Sequence, residues 1–402
     1  MKDRYGKEID PMWDHWDGLA VPREIADALH DEEARRQAEA EAKRALERYA
    51  EETKKPAASK QKAPEWGIES PATSDPRLQI FQREDVDRLE KALASGNSER
   101  KDRLKGVMAT LRRRGEFRRL ASIPEGWKTL LDELEHSFPN FAQVIASLRY
   151  AFALSEHGDN TFVLRPMLLV GPPGVGKTYF CHAFAKLLDT GFRRLSMENV
   201  QTGAFLSGSQ EYWSNSQPGE IFSTLVDGDH ADAVFFLDEI DKTGYGGGYG
   251  EPLNSLYELC EPGTATSFGD LSVPSIRLDA SRLIFVTAAN DLAPIPKPLL
   301  TRLEVFEIAA PSREQAHSIA KAIYTALRQE LRLEERLGEL DEAVVDRLGR
   351  LSPRRIRQCL RDAIGKVLYG ERPAIEVRDI ALPPETQSNR SIGFVTDAAY
   401  ED

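Results

Sequence analysis

Three observations predict an α/β chain with a parallel sheet flanked by helices, followed by a small helical lid and preceded by a helical or partly disordered extension. Residues 167–188 read as apolar strand, glycine-rich loop and helix. A second apolar run, residues 233–237, ends on the carboxylates Asp238 and Glu239. From about residue 123 to 310 helices alternate with apolar strands, and beyond Pro311 the pattern turns purely helical. The 402 residues leave room for one large core with appendages.

Residues 31–55 are rich in Ala, Glu, Arg and Lys and poor in large apolar side chains. They read as a solvated helix or a partly disordered arm without a core of its own. Residues 55–76 collect Pro, Ala, Ser and Lys, the composition of an extended linker, so arm and linker together span 1–76. Apolar residues then return at helical spacing, first Val86, Leu89 and Leu93, then Leu104, Val107, Met108 and Leu111, and predict a small helical domain over 77–122. The same block carries Arg100, Lys101, Arg103, Lys105, Arg112, Arg113, Arg114, Arg118 and Arg119 against Asp102 and Glu116. Such a stripe is either a solvated face or a contact for phosphate or an acidic partner.

The large α/β domain is expected over 123–310. Met167-Leu168-Leu169-Val170 is a short strand running into Gly171, Pro172, Pro173, Gly174, Val175, Gly176, Lys177 and Thr178, and a helix opens at Tyr179 with Phe180, Phe184 and Leu187 on one face. The octapeptide fits G-x-x-x-x-G-K-[ST]. Its glycines let backbone N–H groups close around phosphate oxygens, Lys177 neutralises the β and γ charges, and Thr178 offers a hydroxyl to Mg²⁺. The helix start adds unpaired N–H groups and a positive dipole end. Ala233-Val234-Phe235-Phe236-Leu237 is apolar throughout, as a strand covered on both faces should be. The carboxylates at its C-terminal end stand where such sheets bind ligands. Asp238 is expected to hold Mg²⁺ through water and Glu239 to polarise the water that attacks the γ-phosphate of ATP. Leu283-Ile284-Phe285-Val286 is a third strand.

The lid is expected over 311–382. Ser312 and Gln315 form a capping box ahead of the stripe Ala316, Ile319, Ala320, Ile323 and Leu327. Ser352 and Pro353 start another helix, with Ile356, Cys359, Leu360 and Ala363 facing inward. Residues 383–402 are left as a tail.

A formal net charge of −12 argues against a chain whose main task is to coat nucleic acid or an anionic membrane. No run of 18 apolar residues is present, and the start MKDRYGKEIDPMW is too charged for a secretory signal, so a cytoplasmic protein is expected. Cys181, Cys260 and Cys359 lie far apart without a C-x-x-C pair and read as reduced core thiols.

With both phosphate motifs placed, residues 124–382 resemble the AAA+ superfamily, and specifically the ATPase module of Lon-type proteases. The matching stretches are PIPKPLLTRLEVFEI at 294–308, Gly250-Glu251-Pro252 through Leu256-Tyr257-Glu258-Leu259, then Phe268 and Val286-Thr287-Ala288-Ala289-Asn290. The resemblance implies a ring, hexameric in such proteins, that hydrolyses ATP to pull on or remodel protein substrates. It makes Asn290 the polar group that helps orient the attacking water. Arg302 becomes the arginine finger reaching a neighbouring subunit's γ-phosphate, where such a residue contributes roughly 10³ to 10⁵ in rate. Arg354 matches the arginine on the lid that senses nucleotide, with Arg355 and Arg357 close enough to leave the choice open. Residues 203–220 align with the substrate-gripping loop of the central channel; Trp213 takes the aromatic position and Tyr212 precedes it. Large rings there grip an extended polypeptide by packing, without reading its sequence. The glycine-rich stretch 244–250, with Tyr245 and Tyr249, is either a second aromatic loop at the channel or a flexible connection.

Two departures stand out. Lon-type proteases continue into a Ser-Lys protease domain, whereas here residues 389–396 resemble only its opening strand, so remodelling without proteolysis in cis is expected, with a separate protease or effector as a candidate partner. The N-terminal part shows no similarity to the Lon substrate-binding domain. A nucleic-acid motor or loader is the competing reading, with an ATP-ordered scaffold a third. A channel for nucleic acid needs cations, yet residues 203–220 contain no Lys or Arg.

Overall fold

The computed structural model describes residues 13–16, 19–22, 76–94, 98–200, 202–212, 215–243 and 252–382. The expected arm helix at 31–55, the linker up to residue 75, Trp213, the glycine-rich stretch with Tyr245 and Tyr249, and the tail 383–402 lie outside them.

Residues 1–63 form a unit in which β1 (Trp13–Trp16) and β2 (Leu19–Pro22) pair as an antiparallel hairpin, Trp13 opposite Pro22 and Trp16 opposite Leu19. The second unit, residues 64–402, holds everything described below.

It opens with β3 (Arg77–Gln79), α1 (Arg83–Ala94), α2 (Ser98–Arg114) and β4 (Phe117–Arg119), the two strands pairing antiparallel. Next come α3 (Trp127–Ser137) and α4 (Ala142–Glu156), then β5 (Met167–Val170), α5 (Lys177–Leu187) and β6 (Phe192–Ser196). A short α6 (Ala204–Ser207) and α7 (Glu220–Asp227) bracket the expected substrate loop, and β7 (Val234–Asp238) follows. After α8 (Asn254–Leu259) and α9 (Pro262–Ala265), a small hairpin of β8 (Phe268–Gly269) and β9 (Arg277–Leu278) leads into β10 (Ile284–Ala289), α10 (Lys297–Leu300) and β11 (Glu304–Glu307). The lid comprises α11 (Arg313–Glu330), α12 (Glu342–Leu348) and α13 (Pro353–Tyr369).

Five strands make one parallel sheet in the order β11-β5-β10-β7-β6. Every residue of β7 and β10 is buried, which is why both read as unbroken apolar runs. Alternate residues serve opposite faces. Phe235, Leu237, Phe285 and Leu168 enter one core, while Val234, Phe236, Ile284 and Leu169 enter the other with α3, α4 and α5.

The segment 77–122, expected as a small helical domain, shares a core with the sheet. Ile80, Phe81, Val86, Leu89, Leu93, Leu104 and Leu111 belong to the first of those cores, together with Phe235, Leu237 and Phe285 of the sheet. Its helices lie on the sheet's own apolar layer, with a strand at each end.

Part of its basic stripe is engaged within the chain, while Lys105, Arg113 and Arg119 stay exposed. Arg112 donates to Asp87 at 2.8 Å and Glu90 at 2.6 Å, and Arg114 to Asp229 at 2.6 Å. Arg118, 3 % exposed, donates to the carbonyls of Leu225 (2.8 Å), Val226 (2.7 Å), Gly115 (2.9 Å) and Phe117 (2.8 Å). Burial lowers its guanidinium to about 10, while the carbonyls take up its donors. The two long-range bonds fasten β4 to the C-terminal end of α7.

The lid has its own core, centred on Ile319, Tyr324, Leu327, Leu348, Ile356, Leu360 and Ile364. The Ser312–Gln315 capping box forms as read, Ser312 Oγ accepting from Gln315 N–H at 3.2 Å and Gln315 Oε1 from Ser312 N–H at 2.9 Å. Pro353 opens α13 as expected, with Ser352 at the N-cap position but without a side-chain cap bond. Cys181, Cys260 and Cys359 are free and buried, and burial pushes the Cys260 thiol up to about 12. No helix among the described residues is long and apolar enough to cross a membrane.

Candidate functional site

The C-terminal ends of β5, β7 and β10 meet the N-terminus of α5, and the polar residues singled out above converge there. The loop after β5 enters α5 through Gly176 at φ 108°, a conformation that puts the first turn's N–H groups at the loop without steric cost. Lys177 is buried. Its ammonium donates to the carbonyls of Gly171 (2.5 Å) and Ala289 (3.1 Å) and to Asn290 Oδ1 (3.2 Å). Burial lowers its pKa, opposed by the charges of Asp238, Asp241 and Glu239. Asn290, immediately after β10, thus faces the loop lysine, and its N–H donates to Asp241 Oδ2 at 3.0 Å.

Thr178 Oγ donates to Asp238 Oδ2 at 3.2 Å, the pairing expected of residues that share a divalent cation. One carboxylate and one hydroxyl form an all-oxygen set that suits Mg²⁺, which keeps most of its water. The same Oδ2 accepts from Arg194 Nη2 at 2.8 Å. Glu239 stands at φ 59°, in the left-handed region that few non-glycine residues occupy. Its Oε1 accepts from Lys242 at 2.6 Å, and that ammonium holds the Glu239 carboxyl below the usual carboxylate range.

The lid reaches the loop itself at one backbone contact and the loop's flanks at two more. The Arg354 N–H donates to Gly174 C=O at 3.3 Å, so among the three candidate arginines Arg354 sits on the loop. Arg357 lies over the Tyr179 ring at 5.2 Å and pairs with Glu330, while Arg355 donates to Gln358 at 3.3 Å. Gln315 Nε2 donates to Pro139 C=O at 3.2 Å beside Asn140, whose Nδ2 donates to the carbonyls of Val175 and Ala309, each at 3.3 Å.

Arg302 is not gathered into this cluster. It follows α10, donates to Pro298 C=O at 2.8 Å, pairs with Glu261 at 3.1 Å and lies over the Tyr257 ring at 5.6 Å. Tyr212 is 75 % exposed in the loop between α6 and α7.

Sequence reading missed Arg194, Asp241 and Lys242. The third acid in Asp238-Glu239-Ile240-Asp241 was a signal for Asp241. Arg194 carried none, because β6 is an edge strand whose alternating pattern resembles no apolar run.

Residues 167–310 match the family model described as "ATPase family associated with various cellular activities (AAA)". The chain is 37 % identical over 200 residues to the mitochondrial Lon protease homolog of Kluyveromyces lactis, covering 50 % of this chain and 18 % of that protein. It is 36 % identical over 155 residues to the Lon protease of Desulforamulus reducens, covering 39 % of this chain and 19 % of that one. The matched region thus spans less than a fifth of these relatives' length. Among solved structures, a RuvB mutant of Thermotoga maritima aligns with a TM-score of 0.43 at 17 % identity, covering 60 % of this chain and 67 % of that one.

Proposed function

We propose, for a chain that carries an AAA+ ATPase module of the Lon type, that it hydrolyses ATP between neighbouring copies of itself and spends the turnover on pulling or remodelling a protein substrate. The observation that carries this reading is the convergence of Lys177, Thr178, Asp238 and Asn290 within hydrogen-bond distance at the mouth of the phosphate loop.

In this reading backbone N–H groups of residues 171–178 receive the phosphates, and Lys177 turns from its carbonyl partners to the β and γ oxygens. Thr178 and Asp238 would hold Mg²⁺, which when bound supplies positive charge against the phosphates. Glu239 accepts a proton from the attacking water, Asn290 orients that water, and Arg354 reports nucleotide to the lid, taken as 311–382 on a large domain of 123–310. Arg302 acts on a neighbouring copy's γ-phosphate. Its contacts are with Pro298, Glu261 and Tyr257 rather than with the loop, which supports a role in trans; that the copies form a closed, hexameric ring is taken from the resemblance.

The exposed Tyr212 supports the loop 203–220 as the substrate contact, with Trp213, Tyr245 and Tyr249 as its companions on sequence grounds. Arg112, Arg114 and Arg118 are engaged by carboxylates and carbonyls of the chain itself, which takes three cations from the stripe that supports the nucleic-acid alternative and leaves Lys105, Arg113 and Arg119 exposed. A Glu239→Gln protein should bind ATP with parental affinity and turn it over at least about 100-fold more slowly, the scale of a lost general base. Unchanged turnover would remove Glu239 from the mechanism. In the parent, stimulation of turnover by an unfolded polypeptide supports the remodelling output, whereas salt-sensitive stimulation by DNA alone would replace it. Electrophoresis of the polypeptide afterwards shows whether it emerges intact.

A further inference from the structure

The loop assigned above to substrate is held at its base by a buried carboxylate outside the nucleotide site. Asp270 follows β8 and is fully buried. Its Oδ2 accepts from Gly219 N–H at 2.8 Å, and its Oδ1 accepts from Ser272 N–H at 2.8 Å and Ser272 Oγ at 2.6 Å. Such a group is costly to bury unless donors surround it, and here three do. The other limb of the loop comes to the same turn. Leu271 N–H donates to Ser207 C=O at 2.7 Å. Gly208, at φ +80°, lies so close that a Cβ there would stand 2.1 Å from Asp270 Oδ1. Residues 207–208 and 219, twelve positions apart at their widest by number, are therefore tied to the single turn 270–272.

A second clasp closes the loop one step further out. Ser209 N–H donates to Gln217 C=O at 3.1 Å, Gln217 N–H to Ser209 Oγ at 2.8 Å, and Ser216 Oγ to Ser209 C=O at 2.8 Å. Beyond it the sequence runs from Gln210 to Asn215 and includes Tyr212 and Trp213. The turn 270–272 itself opens the connection from β8 to β9, ahead of β10, the strand that Asn290 follows.

We propose that Asp270 is a positioning residue for substrate engagement: it fixes the base of loop 203–220, so that the aromatic tip meets an extended polypeptide from a rigid neck tied to the segment leading into the Asn290 strand. The inference rests on the reading of that loop as the substrate contact. Asparagine at this position keeps the shape but presents an N–H₂ donor to one of the donors that Asp270 now accepts from.

The test compares Asp270→Asn with the parent as full-length protein, using reduced, carboxymethylated lactalbumin as the unfolded probe. Three readouts are needed: the maximal stimulation of ATP turnover, the probe concentration giving half of it, and amide hydrogen exchange over 203–220. The expected result is a half-maximal concentration raised about fivefold or more, little change in the maximum, and exchange at Gly219 about tenfold faster, the scale of a lost charge-assisted hydrogen bond. Ser272→Ala removes one donor and leaves the carboxylate; it covers the case in which Asp270→Asn fails to fold, and it should shift the same two readouts in the same direction by less. Unchanged half-maximal concentration and unchanged exchange in a folded variant overturn the proposal. A parent that no unfolded probe stimulates overturns the substrate reading instead, and the exchange readout still decides whether Asp270 holds the loop.

Discussion

Glu239 holds a left-handed backbone position, at a cost on the order of 1 kcal/mol for a residue with a Cβ, and such strain is concentrated where side-chain direction matters more than local comfort. Its carboxylate is drawn toward Lys242, three residues on, in the 2.6 Å ion pair. That pair yields a signed pH prediction. The Lys242 ammonium depresses the Glu239 pKa in the folded chain, so its contribution is present above the unfolded carboxylate pKa and is lost as pH falls through the depressed one. In a Lys242→Met protein the acid limb of the pH–rate profile should move to higher pH, because Glu239 then protonates sooner. An unmoved limb would show that this ion pair does not set the base. Sequence singled out Asp238 and Glu239 only in company with the phosphate loop, since acids ending an apolar strand are otherwise more often a solvated turn. Arg194 was illegible for a geometric reason. It reaches Asp238 only because β6 pairs with β7 in a register that sets Ser196 opposite Asp238, and register between distant strands leaves no local pattern.

At the scale of elements, interior and edge strands behaved differently. β5, β7 and β10 are apolar on both faces and could be read, with boundaries shifted by up to three residues: the run read as 233–237 is Val234–Asp238, and the strand read as 283–286 is Ile284–Ala289. The edge strands β6 and β11 carry Arg193, Arg194, Glu304 and Glu307 on exposed positions and so lacked that signature. Helix starts were more explicit, because capping chemistry is local. For α11 the cap has an energetic consequence. Ser312→Ala removes the oxygen that accepts from Gln315 N–H and should destabilise the protein by about 1 kcal/mol. Urea unfolding would register this as a lower midpoint at unchanged slope. A shift too small to measure would mean that packing of Ile319, Tyr324 and Leu327 holds the helix start without its cap.

For the whole molecule, periodicity revealed that residues 83–94 and 98–114 are helical and which faces are apolar, but not what those faces meet. They complete one face of the central sheet, and Arg118 bonds the block to the end of the helix that follows the loop 203–220. In the candidate phosphate site, by contrast, one of the assigned residues stands apart. Lys177, Thr178, Asp238, Asn290 and Arg354 gather around the loop from four strands and helices of one chain, while Arg302 is engaged with Glu261 and Pro298. If Arg302 serves a neighbour, each active site draws its loop from one copy and its finger from the next. A Lys177→Ala copy then lacks the loop lysine but still offers a finger, and an Arg302→Ala copy lacks the finger but keeps a loop. Each variant alone should be nearly inactive. Mixed in equal amounts and allowed to exchange, they should regain roughly a quarter of the parental rate, since a heterologous contact pairs an intact loop with an intact finger in one arrangement out of four. Loss of that gain on adding excess of either variant would fit the same counting. A mixture that stays inactive, although labelled copies are shown to co-assemble, would place Arg302 in its own chain's site or outside catalysis.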